Sequence, residues 1–319
     1  MNIRTCILQS TSIDKFEELF PDEEACIRFL LNTRFGPKWT CPLCNKGRLA
    51  RLRTNPKRLL CSRCRGDVSL TSGTLFEQTR HPIRDWFYLM LIIANSTITT
   101  PVSFVERHFG MSRMAAFRMV TLVRAHLRSL LASRLMGGFG RTVQIDETWI
   151  PQIQHSPSRS GAGAIVFGIF DEGRIFTKLV TSRRREELFP IITGLVAPGS
   201  TIVTDQLRTY AALGDFGYHH ISLNHSKGEW INQNGQSMNG IESYWTSLKY
   251  YIRGSHISPR FKYFPNYLAE HAFKFNARMQ GHCPFLAMIS SFPPIQKDNL
   301  PMTLDSSRYR KGREAGAVV

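Results

Sequence analysis

Residues 143–150 read Val143-Gln-Ile-Asp-Glu-Thr-Trp-Ile150, a β-branched and apolar run with two acids in its middle. Side chains alternate across a strand, so Asp146 and Glu147 point to opposite faces and only one of them can join a given site. Downstream the same grain repeats in Ala164 to Phe170, Ile175 to Thr181, Thr201 to Thr204 and Tyr218 to Leu223. The first three runs are close enough to be consecutive antiparallel strands, with Asp171-Glu-Gly173 as the turn between the second and third. A helical stretch, Arg184 to Leu195, precedes the fourth run. A polar loop from Asn224 to Gln236 and a helix from about Met238 to Ile252 follow the fifth. This order predicts an α/β fold, a mixed sheet flanked by helices.

Upstream the pattern differs. Residues 11–34 look helical, with Pro21 at a first-turn position, Asp22, Glu23 and Glu24 beside it, and Cys26, Phe29 and Leu30 on one face. Four cysteines follow as Cys41-x2-Cys44-x16-Cys61-x2-Cys64, the spacing of a tetrahedral zinc ribbon. Two knuckles make a closed four-sulfur shell for Zn²⁺, which is structural rather than catalytic. Between Glu24 and Asp67 there is no acid. Eleven basic residues lie there: Arg28, Arg34, Lys38, Lys46, Arg48, Arg51, Arg53, Lys57, Arg58, Arg63 and Arg65. That concentration favours phosphate contacts over a plain folding staple, a protein-binding module or redox pairs.

From Trp86 to about Leu135 the pattern is helical. Thr100-Pro101 reads as cap and first helical residue, Gly110 breaks the helix, and Ser112 caps a second one. In that second helix Ala116, Val120, Val123, Leu127 and Leu130 form a stripe, while Arg113, Arg118, Arg124, Arg128 and Arg134 lie off it. A short helix, a Gly turn and a longer basic helix predict a helix-turn-helix with Arg113, Arg118 and Arg124 facing DNA. An ordinary helical hairpin with a solvated arginine face is the other reading.

The 319 residues carry 41 Lys+Arg against 24 Asp+Glu, a net +17, which points to an anionic partner. A hydrophobic content of 42% excludes wholesale disorder. The longest apolar run, Trp86 to Ala94, is far shorter than the roughly 20 residues of a membrane span. The first ten residues lack a secretory signal, so a cytoplasmic, nucleoid-associated protein is expected. Cys6, Cys26 and Cys283 have no ligand spacing, and Arg308-Tyr-Arg-Lys-Gly-Arg313 reads as a basic arm.

Asp205 ends the fourth run, directly after Thr201-Ile-Val-Thr204, where a lone buried carboxylate needs water, a donor or a cation. In the helix near Met238, Asn239 and Glu242 are three apart and Lys249 is seven beyond Glu242, all on one face. Asp146, Asp205 and Glu242 together would hold two Mg²⁺ or Mn²⁺ ions about 4 Å apart for in-line phosphoryl transfer, with Lys249 on a DNA phosphate. Arg253 and His225 are further candidate DNA contacts, and His256 and Lys227 lie nearby in sequence. Trp149, Tyr244 and Trp245 would stack on an unpaired base or pack in the core.

Cys41-Pro-Leu-Cys44, Thr71-Ser-Gly-Thr-Leu-Phe76, Gln144-Ile-Asp-Glu-Thr148, Thr204-Asp205 with Tyr210, and Asn239-Gly-Ile-Glu242-x-x-Trp245-x-x-x-Lys249 resemble the zinc-ribbon DDE transposases of bacterial insertion sequences (the ISXO-like group), related to eukaryotic Merlin elements. The likeness runs from about residue 15 to 280, ending in Tyr267-Leu-x-Glu270 and Phe275-Asn276. It implies a ribonuclease-H-like core whose acids, Asp146, Asp205 and either Glu242 or Asn239, cut and join the ends of a mobile element. Implied too are double-stranded element ends and target DNA as partners, and a homodimer or larger assembly on DNA. The domains expected are 1–70 (helix and ribbon), 71–138 (helix-turn-helix), 139–285 (catalytic) and 286–319 (tail). A transposase-derived DNA-binding regulator without chemistry, or a nuclease that cuts without joining, are the rivals.

Overall fold

Phe20-Pro21-Asp22 splits the first helical stretch, expected to be continuous, into α1 (Ile13–Leu19) and α2 (Glu23–Phe35). Proline has no N–H to donate and its ring clashes with the preceding turn, so it stays outside the second helix. Asp22 takes an extended backbone and caps α2 by accepting the Ala25 N–H at 2.7 Å. The computed structural model describes residues 11–131, 135–154, 163–223, 235–254 and 259–295. The chain forms two units: Met1–Ser96, Thr100–Leu130 and His282–Val319 in one, Thr97–Thr99 and Leu131–Gly281 in the other.

In the first unit, β1 (Leu49–Arg51), β2 (Arg58–Cys61) and β3 (Asp67–Ser69) form an antiparallel sheet. Helices α3 (Ile83–Asn95), α4 (Val102–Phe109) and α5 (Arg113–Leu130) follow. Glu23 accepts the Ile83 and Arg84 amides at 2.8 and 2.9 Å and so caps α3 from α2. Phe20 and Phe87 meet edge to face at 5.0 Å within a cluster that includes Phe16 and Phe76.

The start of α4 differs from expectation. Pro101 is the cap and not the first helical residue, because its carbonyl accepts the first helical N–H bonds, from Phe104 and Val105. Gly110 ends α4 in the left-handed region (φ 61°), and Ser112 caps α5 through the Ala115 amide. In α5 every residue from Met119 to Leu127 is buried, so the expected split into one packed and one basic face fails beyond the first two turns. Arg124 is corrected by this: it is 4% exposed, and its Nη2 donates to the Thr100 carbonyl oxygen at 2.9 Å. Arg113 is exposed and Arg118 half-buried.

The second unit holds β4 (Met136–Gly137), β5 (Thr142–Pro151), β6 (Gly163–Asp171), β7 (Arg174–Val180), α6 (Arg185–Leu195), β8 (Val196–Ala197), β9 (Thr201–Thr204), β10 (His219–Ser222), α7 (Asn239–Arg253) and α8 (Phe264–Met279). A last helix, α9 (Pro284–Ile289), returns to the first unit. Five strands make a mixed sheet in the order β10-β9-β5-β6-β7. Strand β5 is parallel to β9 and antiparallel to β6, β9 is parallel to β10, and β6 is antiparallel to β7. Glu172 and Gly173, at φ 45° and 86°, make the tight β6–β7 turn that the sequence predicts.

Alternation sorts the two faces. Val143, Ile145, Phe167 and Ile169 pack with Leu188 and Ile192 of α6. On the other face, Ile150, Val166 and Ile175 pack with Ile241, Trp245 and Leu248 of α7 and Leu268 of α8. At the β7 edge Asn276 bonds both the amide and the carbonyl of Ile175, at 2.8 and 3.0 Å, taking the place of a strand partner.

Candidate active site and metal centre

The four thiols Cys41, Cys44, Cys61 and Cys64 lie with all sulfurs within 4.8 Å of one another. Cys41 Sγ is 3.8 Å from Cys64 Sγ, and Cys44 Sγ is 3.7 Å from Cys61 Sγ. Tetrahedral Zn–S bonds of about 2.3 Å set neighbouring sulfurs about 3.8 Å apart, so the cage fits Zn²⁺. Local backbone makes this possible. Asn45 and Arg65, each directly after the second cysteine of a knuckle, are left-handed (φ 52° and 57°) and turn the chain back. Gly47 leaves room for sulfur: a Cβ there would lie 2.2 Å from Cys61 Sγ. The Lys46 and Gly47 amides hold the Cys44 thiol down to about 6, while the neighbouring thiols and burial push Cys64 up to about 11, as expected of sulfurs crowded together with no cation between them.

The acids lie elsewhere, in the second unit. Asp146 sits mid-strand in β5 on the face covered by α7, and its Oδ2 accepts the indole N–H of Trp245 at 2.9 Å. Directly opposite it on β6 is Gly168, where a Cβ would come within 2.6 Å of the Trp245 ring. Gln144, two residues before Asp146 on the same face, accepts the Ile241 amide at 2.9 Å and so docks the first turn of α7. Asp205 follows β9 and accepts the Leu207 amide at 3.1 Å. Glu242 is half-buried in the first turn of α7.

Burial pushes the Asp146 carboxyl up to about 6, and the charges of Asp205 and Glu242 push the same way against the Trp245 N–H. Asp205, past a strand end, and Glu242, on a helix, are thus both near enough to act on Asp146 in its strand. They are not drawn together as the thiols are: among the described residues only the four cysteines gather three or more ligand atoms within 4.8 Å. The donor set, all oxygen and anionic, suits Mg²⁺ or Mn²⁺.

Glu147 lies on the far face of β5, where burial pushes its carboxyl up to about 8, with Asp146 and Asp205 adding to it. Asn239 is exposed at the first position of α7, Lys249 half-buried two turns past Glu242, and Arg253 exposed in the last turn. Tyr244 and Trp245 are core residues, 0% and 4% exposed. His225, Lys227, His256, Arg134, Cys6 and the arm 308–313 lie outside the described residues.

A profile of the ISXO2-like transposase domain matches residues 135–276, the span holding all three acids, and one of the transposase zinc-ribbon domain matches residues 21–67, the span of the thiol cage. An uncharacterized transposase-like protein of Haemophilus influenzae is 30% identical over 103 residues, 32% of this chain and 81% of that protein. The chain belongs to the ISXO2-like transposases. The zinc-ribbon domain and the four-thiol cage together support Zn²⁺ as the ion held by Cys41, Cys44, Cys61 and Cys64.

Three contacts around these acids join residues that no local pattern in the sequence connects: Trp245 to Asp146, Gln144 to the α7 amide, and Tyr210 to Glu147. All link residues far apart in sequence. The only trace was their presence in the quoted motifs.

Proposed function

We propose that this chain is a DDE transposase that binds the terminal inverted repeats of its element, cleaves DNA strands at those ends and transfers them to target DNA. What carries this is the transposase domain itself, which holds Asp146, Asp205 and Glu242 on three of its elements, with Asp205 and Glu242 both near enough to raise the Asp146 carboxyl. The strand order β10-β9-β5-β6-β7, with one antiparallel hairpin side and one parallel side, supports a ribonuclease-H-like core. In this reading residues 139–285 are catalytic, 1–70 and 71–138 bind element ends, and 286–319 are a basic tail.

Asp146, Asp205 and Glu242 would hold two Mg²⁺ or Mn²⁺ ions. When bound, such ions activate an attacking oxygen and stabilise the leaving one. The chain's own part is positional. Trp245 and the Glu147 amide hold the Asp146 carboxylate, and Gln144 fixes the helix that carries Glu242. Glu242 is taken over Asn239 as the third ligand because a carboxylate binds a hard cation far better than a neutral amide; Asn239, exposed at the helix start, would orient DNA. Lys249 and Arg253 would hold phosphates.

For end binding, Lys38, Lys46, Arg48, Arg53, Lys57, Arg63 and Arg65 of the ribbon stretch have no carboxylate within ion-pair distance among the described residues. That leaves them open to phosphate. Arg113 and Arg118, on the first turns of α5, suit the recognition end of a helix-turn-helix. No helix among the described residues is long and apolar enough to cross a membrane. Two ends must be held at once, so a dimer or larger assembly on DNA belongs to the proposal, as does a cytoplasmic, nucleoid-associated location.

The test uses labelled element-end duplex with Mg²⁺. Wild type yields cut and then joined products, and Asp146→Asn or Asp205→Asn abolishes cleavage while binding survives. Normal cleavage by either variant refutes the site. Binding without cutting would identify a regulator, and cutting without joining a nuclease.

A further inference from the structure

Strand β5 sets two acids back to back, and the proposed chemistry uses only one. Glu147 is 9% exposed on the face opposite Asp146, and it accepts the hydroxyl hydrogen of Tyr210, which is fully buried. A carboxyl buried at that cost is held by something specific, since an apolar pair would fill the same space.

Tyr210 lies five residues beyond Asp205, in the 3-10 segment Arg208–Phe216. The backbone pairing of β5 with β9 runs from Thr142↔Thr201 to Gln144↔Val203 and stops there. Continued by two residues that register sets Asp205 opposite Asp146, but the pairing itself ends short of both, so their last approach rests on other bonds. The Asp205 carbonyl takes the Ser222 hydroxyl of β10 at 3.1 Å, and beyond it the chain is held by side-chain and turn bonds. Asp205 Oδ1 takes the Leu207 amide, the Tyr210 amide donates to the Leu207 carbonyl at 3.0 Å, and Thr209 Oγ1 donates to the Arg183 carbonyl at 2.8 Å. Tyr210 to Glu147 is the link in this chain of bonds that returns to β5, one residue from Asp146.

We infer that the Tyr210–Glu147 hydrogen bond is a lock that holds the segment after Asp205 against β5 beyond the end of the strand pairing and so steadies the Asp205 carboxylate beside Asp146, which makes both partners positioning residues of the proposed cation site. The inference rests on the acid-site reading above. It also gives work to two motif residues, the glutamate after the first aspartate and the tyrosine five past the second.

The test uses the full chain. Hydrogen exchange of segment 205–216, Mn²⁺ affinity by electron paramagnetic resonance of free Mn²⁺, and Mn²⁺-dependent cleavage of element-end duplex are compared in wild type, Tyr210→Phe, Glu147→Leu and Glu147→Gln. Deleting the bond by Tyr210→Phe speeds exchange of the Leu207 and Tyr210 amides about tenfold or more, weakens Mn²⁺ binding about tenfold and lowers kcat with KM for DNA unchanged. Glu147→Gln keeps an acceptor oxygen and retains the exchange protection. Should Tyr210→Phe fail to fold, Glu147→Leu against Glu147→Gln makes the same comparison. Wild-type exchange and Mn²⁺ affinity in the bond-deleted variants overturn the lock. A wild-type chain that never cleaves refutes the transposase reading instead, and the exchange arm still decides whether the lock exists.

Discussion

The Trp245 indole lies over Gly168 and donates its N–H to Asp146 Oδ2 at 2.9 Å, so helix α7 grips the acid of strand β5 through the notch a glycine leaves in β6. A hydrogen bond to a charged group contributes about 1.5–3 kcal/mol, and its removal frees the carboxylate to rotate. Trp245→Phe keeps most of the packing. The expected result is a fall in cleavage rate of about tenfold or more with element-end affinity within threefold. Equal rates in single-turnover cleavage would show that the grip has no catalytic consequence.

Gly168→Ala tests the same grip from the other side. The added methyl would meet the indole at 2.6 Å, so ring or strand must shift. Overpacking of this kind costs about 1–3 kcal/mol. A lower urea midpoint and a cleavage defect at least as large as that of Trp245→Phe are expected, and a midpoint equal to wild type would mean that the ring moves freely.

The thiol cage makes a separate prediction in the first unit. Gly47→Ala leaves all four ligand residues in the sequence but puts a methyl 2.2 Å from Cys61 Sγ. It is expected to lose zinc as Cys44→Ser does, read as less than one Zn per chain by elemental analysis, and to lose affinity for DNA. Because metal binding is folding free energy in such knuckles, chelation of the wild-type chain should lower its melting temperature. Full zinc occupancy in Gly47→Ala would refute the spacing argument.

How much was legible follows from range. The five strands, the β6–β7 turn and the thiol spacing are local patterns, and each stands within a residue or two of where the sequence puts it. The face of Asp146 followed from alternation alone. What covers that face did not, because it depends on the register Asp146↔Gly168 and on a helix nearly a hundred residues away. Arg124 failed for a related reason. Helical period placed it off the apolar stripe, but period says nothing of how many sides of a helix are covered, and α5 is enclosed from Met119 to Leu127.

That correction separates two arginines of one helix. Arg113 is exposed, with only a 3.5 Å pair to Glu106, and a surface pair of that kind contributes about 0–1 kcal/mol. Arg113→Ala should leave stability unchanged and reduce the slope of log affinity against log salt by about 0.9, one phosphate contact. Arg124→Ala should do the reverse, leaving the slope alone while stranding the Thr100 carbonyl, at about 1–3 kcal/mol of stability. A salt slope that moves with Arg124 as much as with Arg113 would return α5 to the sequence-only picture.

A last prediction concerns acid. His126 is fully buried in α5, stacked on Phe292, with Nε2 and the Met288 carbonyl 2.8 Å apart. Nε2–H donates there, and Nδ1 has no partner among the described residues. Protonation would create a buried N–H with nowhere to donate, and burial holds the ring down to about 4 from 6.5. The unfolded chain therefore takes up the proton first as pH falls. This contribution is fully present above pH 6.5, is lost between 6.5 and about 4, and amounts to about 2 kcal/mol between pH 7 and 5. His126→Gln retains an amide donor for Met288 but cannot titrate. Urea unfolding at pH 7 and 5 is expected to show a drop in wild type larger by about 2 kcal/mol than in the variant. Equal drops would mean that the ring is already charged, or open to water, in the folded chain.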